Sequence, residues 1–316
     1  MGNILVTGSA GQIGSELVPA LRNIYGETTV IAAWNKTPLP DDISNGPNVL
    51  LDVTDFEAIN KVVKNFEISS IFHMSSILSA TAEAIRNTAH NVNINGTFNV
   101  LESAYQNGVE KVILPSSIAA FGDKTPRDMT PNDTIQNPDT VYGISKVFGE
   151  LIGNYYYSKL GLDVRGIRLP GVISWKTEPT AGTTDYAVAM FYEAIKSNSY
   201  ECYLASDTSL PMMYMPDAIN ALVNLFKADQ GNLIHHSDFN VHAMTFTPAA
   251  LAAEVKRINP KFEIEYQIDP VRQAIANSWP SSLDDSAARK EWGWEPKYSI
   301  QELAEDMYKN LVTKLA

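Results

Sequence analysis

The chain has 316 residues, 45% of them hydrophobic, and 24 lysines and arginines against 36 aspartates and glutamates give a formal net charge of −12. That length suits one large α/β domain carrying a smaller lobe, and the negative balance argues against nucleic acid or an anionic membrane surface as a partner. Cys202 is the single cysteine, which excludes an intrachain disulfide and a thiolate metal cluster. No basic segment followed by an apolar run opens the chain and no stretch is long enough to span a bilayer, so a cytoplasmic location is expected.

Ile4, Leu5 and Val6 form a short apolar run that reads as a buried parallel strand. From Ile13 the spacing turns helical through Leu17, Val18 and Leu21. Between the two patterns stand Gly8, Gly11 and Gly14. Gly8 permits a tight turn, Gly11 lets backbone approach a pyrophosphate, and Gly14 lets the helix pack on the strand. The helix N-terminus then aims free N–H groups at phosphates. A strand before and a helix after lift this turn above an ordinary glycine loop, and nucleotide binding is expected.

Further strands are predicted over residues 29–33, 49–52, 70–74, 111–114 and 164–168, with helices over 56–66 and 89–107, the latter capped by Gly108. Such alternation implies an α/β fold with a doubly wound parallel sheet. Ligands there bind beyond the carboxyl ends of the strands. After Pro170 turn-rich pieces at 177–182, 259–261, 269–270 and 279–285 suggest a smaller lobe. Residues 1–170 are thus expected to bind the dinucleotide, and 171–316 mainly the substrate, with some segments returning to the sheet.

The second strand ends Ala33-Trp34-Asn35-Lys36, without the carboxylate that usually grips the adenosine ribose. Trp34 can stack on adenine, Asn35 can bond a ribose hydroxyl, Lys36 can pair with a 2′-phosphate, and a plain solvent-edge loop fits as well. Asp52 and Val53, after the third strand, are placed to bracket the adenine.

Tyr142 and Lys146 stand four apart on a predicted helix, hence on one face. A phenol must drop by about 3 units, worth about 4 kcal/mol, to act as a base near neutrality, and an adjacent ammonium is expected to supply much of that. Just after the fifth strand Ser116 and Ser117 offer hydroxyls that can hold a substrate oxygen.

Ser, Tyr and Lys in this order, behind an amino-terminal glycine turn, resemble the short-chain dehydrogenase/reductases, in particular their extended branch. The resemblance implies a Rossmann sheet of that type with a smaller C-terminal substrate lobe. It makes Ser117 rather than Ser116 the reactive serine. It also implies that Asn93 supports the site, and that Gln12, Ile13, Met74, Ser75, Ser76 and Pro170 meet the cofactor together with Tyr142 and Lys146. Sugar-nucleotide members usually carry an arginine for the substrate diphosphate. Here 209–217 reads SLPMMYMPD, so a small, unphosphorylated substrate is expected.

The likeness narrows to the short-chain type of L-threonine 3-dehydrogenases through Leu78-Ser79-Ala-Thr81-Ala-Glu83, Gly182-Thr-Thr-Asp-Tyr-Ala187, Leu210-Pro-Met-Met-Tyr-Met215, Phe246-Thr-Pro248, Arg272-Gln-Ala-Ile-Ala276 and Ser278-Trp-Pro280 with Trp292-Gly-Trp294. It implies that Ser79, Thr183, Thr184 and Trp279 line an amino-acid pocket together with Ser117 and Tyr142. It further implies NAD as cofactor, with NADP left open by Trp34, and threonine oxidised at C3 to 2-amino-3-oxobutanoate. In that scheme Tyr142 takes the hydroxyl proton, Lys146 lowers the phenol's pKa and binds the ribose, and Ser117 holds the oxygen. The departures are Trp34 for aspartate, 178–182 (EPTAG) for a glycine-rich run, and Pro216 for an acidic residue. Asp185 fits either the substrate ammonium or a helix cap.

His235, His236 and His242 lack metal-ligand spacing and are expected in ordinary polar roles, so no metal site is predicted. Met212, Met213 and Met215 are expected to pack, and Asp41-Asp42 to lie in a solvated loop. Tyr155, Tyr156 and Tyr157 read as core and subunit interface, since extended members pair through this helix and the one over 89–107, which implies a homodimer. Two readings stand beside the dehydrogenase: a sugar-nucleotide epimerase or dehydratase, and a redox-sensing dinucleotide-binding protein without catalysis.

Overall fold

The computed structural model describes residues 2–180 and 182–315; one position of the turn-rich 177–182 stretch, Ala181, thus lies outside the described residues, as do both terminal residues. In chain order the first half runs β1 (Asn3–Thr7), α1 (Gly14–Tyr25), β2 (Val30–Trp34), α2 (Asp41–Ser44), β3 (Asn48–Leu50), α3 (Phe56–Asn65), β4 (Ile68–His73), α4 (Ser79–Ala84), α5 (Arg86–His90), α6 (Gly96–Gln106), β5 (Lys111–Ile113), β6 (Ser116–Ser117) and α7 (Val141–Tyr155). The second half adds β7 (Asp163–Arg165), β8 (Ile167–Leu169), β9 (Gly171–Ile173), α8 (Tyr186–Lys196), β10 (Ser199–Cys202), β11 (Leu210–Tyr214) and α9 (Met215–Lys227). It closes with β12 (Phe239–Asn240), β13 (Met244–Phe246), α10 (Pro248–Ile258), β14 (Glu263–Tyr266), α11 (Pro270–Ser278), α12 (Ser286–Trp292) and α13 (Ile300–Leu315).

The central sheet is wholly parallel, in the order β3-β2-β1-β4-β5-β7. Its strands alternate between two apolar layers, as a sheet covered on both faces requires. Ile4 and Val6 of β1 join Leu17, Leu21 and the α9 residues Leu222 and Leu225 on one side. Leu5 joins Ile59, Val62, Leu101 and Val112 on the other. A third core holds α8, β11, α10 and α13 together, and Met212 is fully buried in it while Met213 and Met215 pack beneath the sheet. The methionines therefore fill core space. Among the described residues no helix is long and apolar enough to cross a membrane.

Three elements differ from the sequence reading. The strand expected over 164–168 is two strands, because the backbone leaves the central sheet at Gly166, whose N–H donates to His236 O at 2.8 Å. A Cβ at Gly166 would lie 2.5 Å from Leu114 O, so only glycine allows this approach. Beyond the break β8 pairs with β6 and β12 in a second small sheet. The long helix over 89–107 is interrupted by a π turn, Asn91–Asn95, before α6 runs on to Gln106, with Gly108 at φ 68° just past its end. Asp41 and Asp42 begin the short helix α2 instead of lying in a loop.

Candidate active site

The carboxyl ends of β1, β2, β3, β4 and β5 open onto one continuous cleft. Its first part is lined by Gly8, Ala10, Gly11, Trp34, Asn35, Lys36, Asp52, Val53, Met74, Ser75 and Ser76. Its second part takes in Gln12, Ile13, Met74, Ser76, Ser79, Ser117, Tyr142, Lys146, Pro170, Thr183, Thr184 and Trp279. Met74 and Ser76 border both. The residues expected on either side of a hydride-transfer site therefore meet, although they come from nine separate places in the chain.

The glycine turn has the geometry that dinucleotide binding demands. Gly8 sits at φ 65°, and a Cβ on it would lie 2.8 Å from Met74 C and Ser75 N. A Cβ on Gly14 would collide with Gly8 O, so Gly14 lines neither part of the cleft and instead seats α1 against the turn. At the junction of the two parts the buried Ser76 Oγ has no hydrogen-bond partner. A bare turn, a helix N-terminus behind it and an unpartnered hydroxyl beside it fit a dinucleotide.

At the adenosine end Trp34 Nε1 donates to Asn48 Oδ1 at 3.3 Å, leaving the indole ring on the cleft wall. The Asp52 carboxylate accepts from Thr54 N at 2.9 Å and Thr54 Oγ1 at 2.8 Å. These bonds, the backbone one foremost, hold its pKa below the usual carboxylate value, with Asn35 and Lys36 adding to the effect. Thr88, Asn91 and Val92 close this end from α5 and the π turn. The sequence reading missed them, since their only signal was a polar run before Asn93.

Thr140 Oγ1 accepts from Gly143 N at 3.0 Å and so fixes where α7 begins. Tyr142 then falls in its first turn, with Lys146 Nζ 5.3 Å from the phenol ring centre. Lys146 Nζ donates to Pro115 O at 3.0 Å. Burial pushes the Tyr142 phenol up to about 12, and the Ser117 hydroxyl draws it only part of the way back. The phenol thus moves opposite to the acidification expected from Lys146: desolvation dominates, and the Ser117 hydroxyl is the group that opposes it. Burial also pushes the Lys146 ammonium down to about 8.

Behind the cleft Asn93 joins the π turn to the loop after β4: its Nδ2 donates to Ile77 O at 2.9 Å and its Oδ1 accepts from Ile77 N at 2.8 Å. His73 is buried beside it. Thr97 Oγ1 gives its proton to Asn93 O at 2.7 Å, so His73 Nε2 donates to Thr97 Oγ1 at 3.4 Å and Nδ1 accepts from Thr7 Oγ1 at 2.8 Å. Burial pushes its pKa down to about 3, which leaves a neutral ring.

In the substrate lobe the Thr183 hydroxyl is buried without a partner on the cleft wall. Trp279 is 5% exposed and is held through its carbonyl, which accepts from Arg127 Nε at 3.2 Å. Asp185 stands at the N-cap position just before α8, yet its side chain does not cap the helix. It accepts instead from Thr180 N at 2.5 Å and Thr180 Oγ1 at 2.6 Å, which holds the preceding loop against the cleft. No arginine lines either part of the cleft among the described residues; the cations there are Lys36 and Lys146.

The three histidines set aside as ligands have ordinary partners. His235 Nδ1 pairs with Glu291 at 2.7 Å, His236 stacks on Tyr157, and His242 Nδ1 accepts from Leu283 N at 3.1 Å. Among the described residues no cluster could hold a metal ion.

Residues 4–241 match the model of the NAD dependent epimerase/dehydratase family. An uncharacterized epimerase/dehydratase of Staphylococcus haemolyticus is 46% identical over 315 residues, 99% of each chain. The solved L-threonine dehydrogenase of Clostridium difficile is 47% identical, with a TM-score of 0.97 over 99% of this chain and 98% of that one. A structure described as a monomeric L-threonine 3-dehydrogenase from a metagenome is 43% identical, with a TM-score of 0.94 over 99% and 100% of the two chains.

Proposed function

This chain belongs to the NAD dependent epimerase/dehydratase family, and we propose that within it the protein oxidises L-threonine at C3 to 2-amino-3-oxobutanoate. The observation that carries the reading is a reaction cleft that sets small hydroxyls and an indole (Ser79, Thr183, Thr184, Trp279) beside Ser117, Tyr142 and Lys146, among apolar walls such as Leu78, Ile118 and Val172, with no arginine for a diphosphate among the described residues. A buried diphosphate without a cationic partner is costly, whereas an amino acid fits a cluster of hydroxyl and backbone groups. The high identity to solved threonine dehydrogenases over nearly the whole chain supports the same substrate.

Gly8, Gly11, Gln12, Ile13 and the α1 N-terminus are proposed to hold the pyrophosphate, with Gly14 seating that helix against the turn, and Trp34, Asn35, Asp52 and Val53 the adenosine. Met74, Ser75, Ser76, Lys146 and Pro170 would hold the nicotinamide riboside, with Asn93 fixing the loop after β4 from behind. Bound there, NAD would supply the hydride acceptor; the family description supports NAD, while Trp34 and Lys36 put no carboxylate in the way of NADP. Tyr142 takes the proton of the substrate hydroxyl, Ser117 donates to that oxygen as it becomes a carbonyl, and Lys146 favours the ionised phenol. Trp279 and the loop held by Asp185 exclude water. Residues 171–316 act mainly as the substrate lobe, although α9 shares the core of α1.

Two copies are proposed to pair through α6 and α7. Ile144, Leu151 and Tyr155 recur at helical spacing on α7 and Phe98 and Tyr105 on α6, all exposed, with Leu151 at 64%. The exposed apolar face is what supports this pairing, whereas one of the solved relatives is described as monomeric. Appearance of reduced cofactor with L-threonine and either dinucleotide, run beside a UDP-sugar epimerase assay, tests the reading: turnover of the nucleotide sugar and not of threonine rejects it.

A further inference from the structure

The stripe on α7 does not stop at Tyr142 and Lys146. Glu150 lies one turn further on the same face, at i+8 from the tyrosine. It is 3% exposed, and every bond it makes is to a buried or half-buried group. Arg168 of β8 clasps it in a fork, Nε to Oε1 at 2.9 Å and Nη2 to Oε2 at 2.8 Å. Gln136 Nε2 donates to Oε2 at 2.6 Å, and the Ser116 hydroxyl donates to Oε1. Ser116 is the residue after Pro115, whose carbonyl receives Lys146 Nζ. A narrow polar cavity lined by His73, Asn93, Ser116, Ser145, Lys146 and Glu150 runs between the two charged groups.

We propose that Glu150 is a positioning residue for the reactive pair: fixed by Arg168, Ser116 and Gln136, it seats and counter-charges Lys146 at the floor of the dinucleotide cleft. The proposal rests on the reading that Lys146 holds the nicotinamide ribose and supports Tyr142. The charged or titratable groups that face Lys146 are few. Tyr142 and Glu150 come from its own helix, neutral His73 from β4, and Arg168 stands behind Glu150 from β8. The loop around Ser116 and the π turn around Asn93 offer only neutral groups. Removing the Glu150 charge therefore leaves two buried cations, Lys146 and Arg168, with no anion between them. Burial already works against the ammonium, and Glu150 is the group that opposes it.

NADH binding followed by cofactor fluorescence across pH tests this without any substrate. Affinity should fall as pH rises through the Lys146 transition. In Glu150→Gln that fall should come at lower pH, by about one unit or more. Glu150→Asp, which keeps the charge on a shorter arm, should lie between Gln and wild type, and Glu150→Gln combined with Arg168→Gln should move back toward wild type. A folded Gln variant whose affinity drops equally at every pH, or does not change, overturns the proposal. Should the Gln variants fail to fold, an unshifted transition in Glu150→Asp overturns it alone. A wild-type protein that binds NADH with this pH profile but ignores threonine rejects the substrate reading and leaves Glu150 in place.

Discussion

Replacing Tyr142 by Phe removes one oxygen and nothing else, since the ring packs against the third core and keeps its volume. The phenol is pushed up to about 12, so at pH 8 about one molecule in ten thousand carries the ionised base. Closing a gap of about 4 units takes about 5 kcal/mol. The Ser117 hydroxyl is already included in the value of about 12, so most of this must arrive with the positively charged, oxidised nicotinamide. Two consequences are measurable. Oxidised cofactor should release protons on binding to wild type at pH 8 to 9, seen with a pH indicator in weak buffer, and reduced cofactor should release fewer. Tyr142→Phe should lose that release, keep NADH affinity within about tenfold, and lose about a thousandfold in kcat, within the ~10²–10⁴ range of a general base. A Phe variant within tenfold of wild-type turnover would refute the reasoning.

Gly8→Ala places a Cβ 2.8 Å from the backbone after β4 at φ 65°; about 1–2 kcal/mol of left-handed strain plus that overlap should weaken NADH binding by at least ~10-fold in a fluorescence titration. Thr183→Val removes the unpartnered buried hydroxyl of the cleft at nearly constant volume; KM for threonine should rise about 5–10-fold, in line with about 1 kcal/mol for one hydrogen bond, with NADH affinity unchanged. Leu151→Lys, at 64% exposure on α7, should shift sedimentation from dimer to monomer, and a wild type that already sediments as a monomer removes the pairing proposal. Trp34→Asp introduces the missing carboxylate and should lower the NADP-to-NAD ratio of kcat/KM by about 10-fold or more through repulsion of the 2′-phosphate.

Much of the central sheet was legible because its forces are local. The apolar run of Ile4 to Val6, the helical recurrence of Leu17, Val18 and Leu21, and the three glycines between them each depend on neighbours in sequence. What was missed depends on distant partners. Nothing near Gly166 announces that Leu114 and Ser237 backbone will close around it and break the strand. The π turn at Asn91–Asn95 shifts a helical pattern by one residue, which hydrophobic periodicity does not resolve. Asp185 fitted either the substrate ammonium or a helix cap, yet Thr180 claims its carboxylate. The spacing of Tyr142 and Lys146 was plain, but the direction of their pKa shifts follows from burial that strands and loops far along the chain provide. Glu150 belongs to the same stripe, while its partner Arg168 lies on a different element.

The central claim is that this cleft moves a hydride from C3 of a small amino alcohol rather than from a nucleotide-linked sugar. Purified protein mixed with NAD and L-threonine should raise the absorbance of reduced nicotinamide and yield 2-amino-3-oxobutanoate or its decarboxylation product, while UDP-glucose is returned unchanged. Protein that leaves threonine intact with both dinucleotides, yet interconverts UDP-glucose and its C4 epimer, contradicts the account.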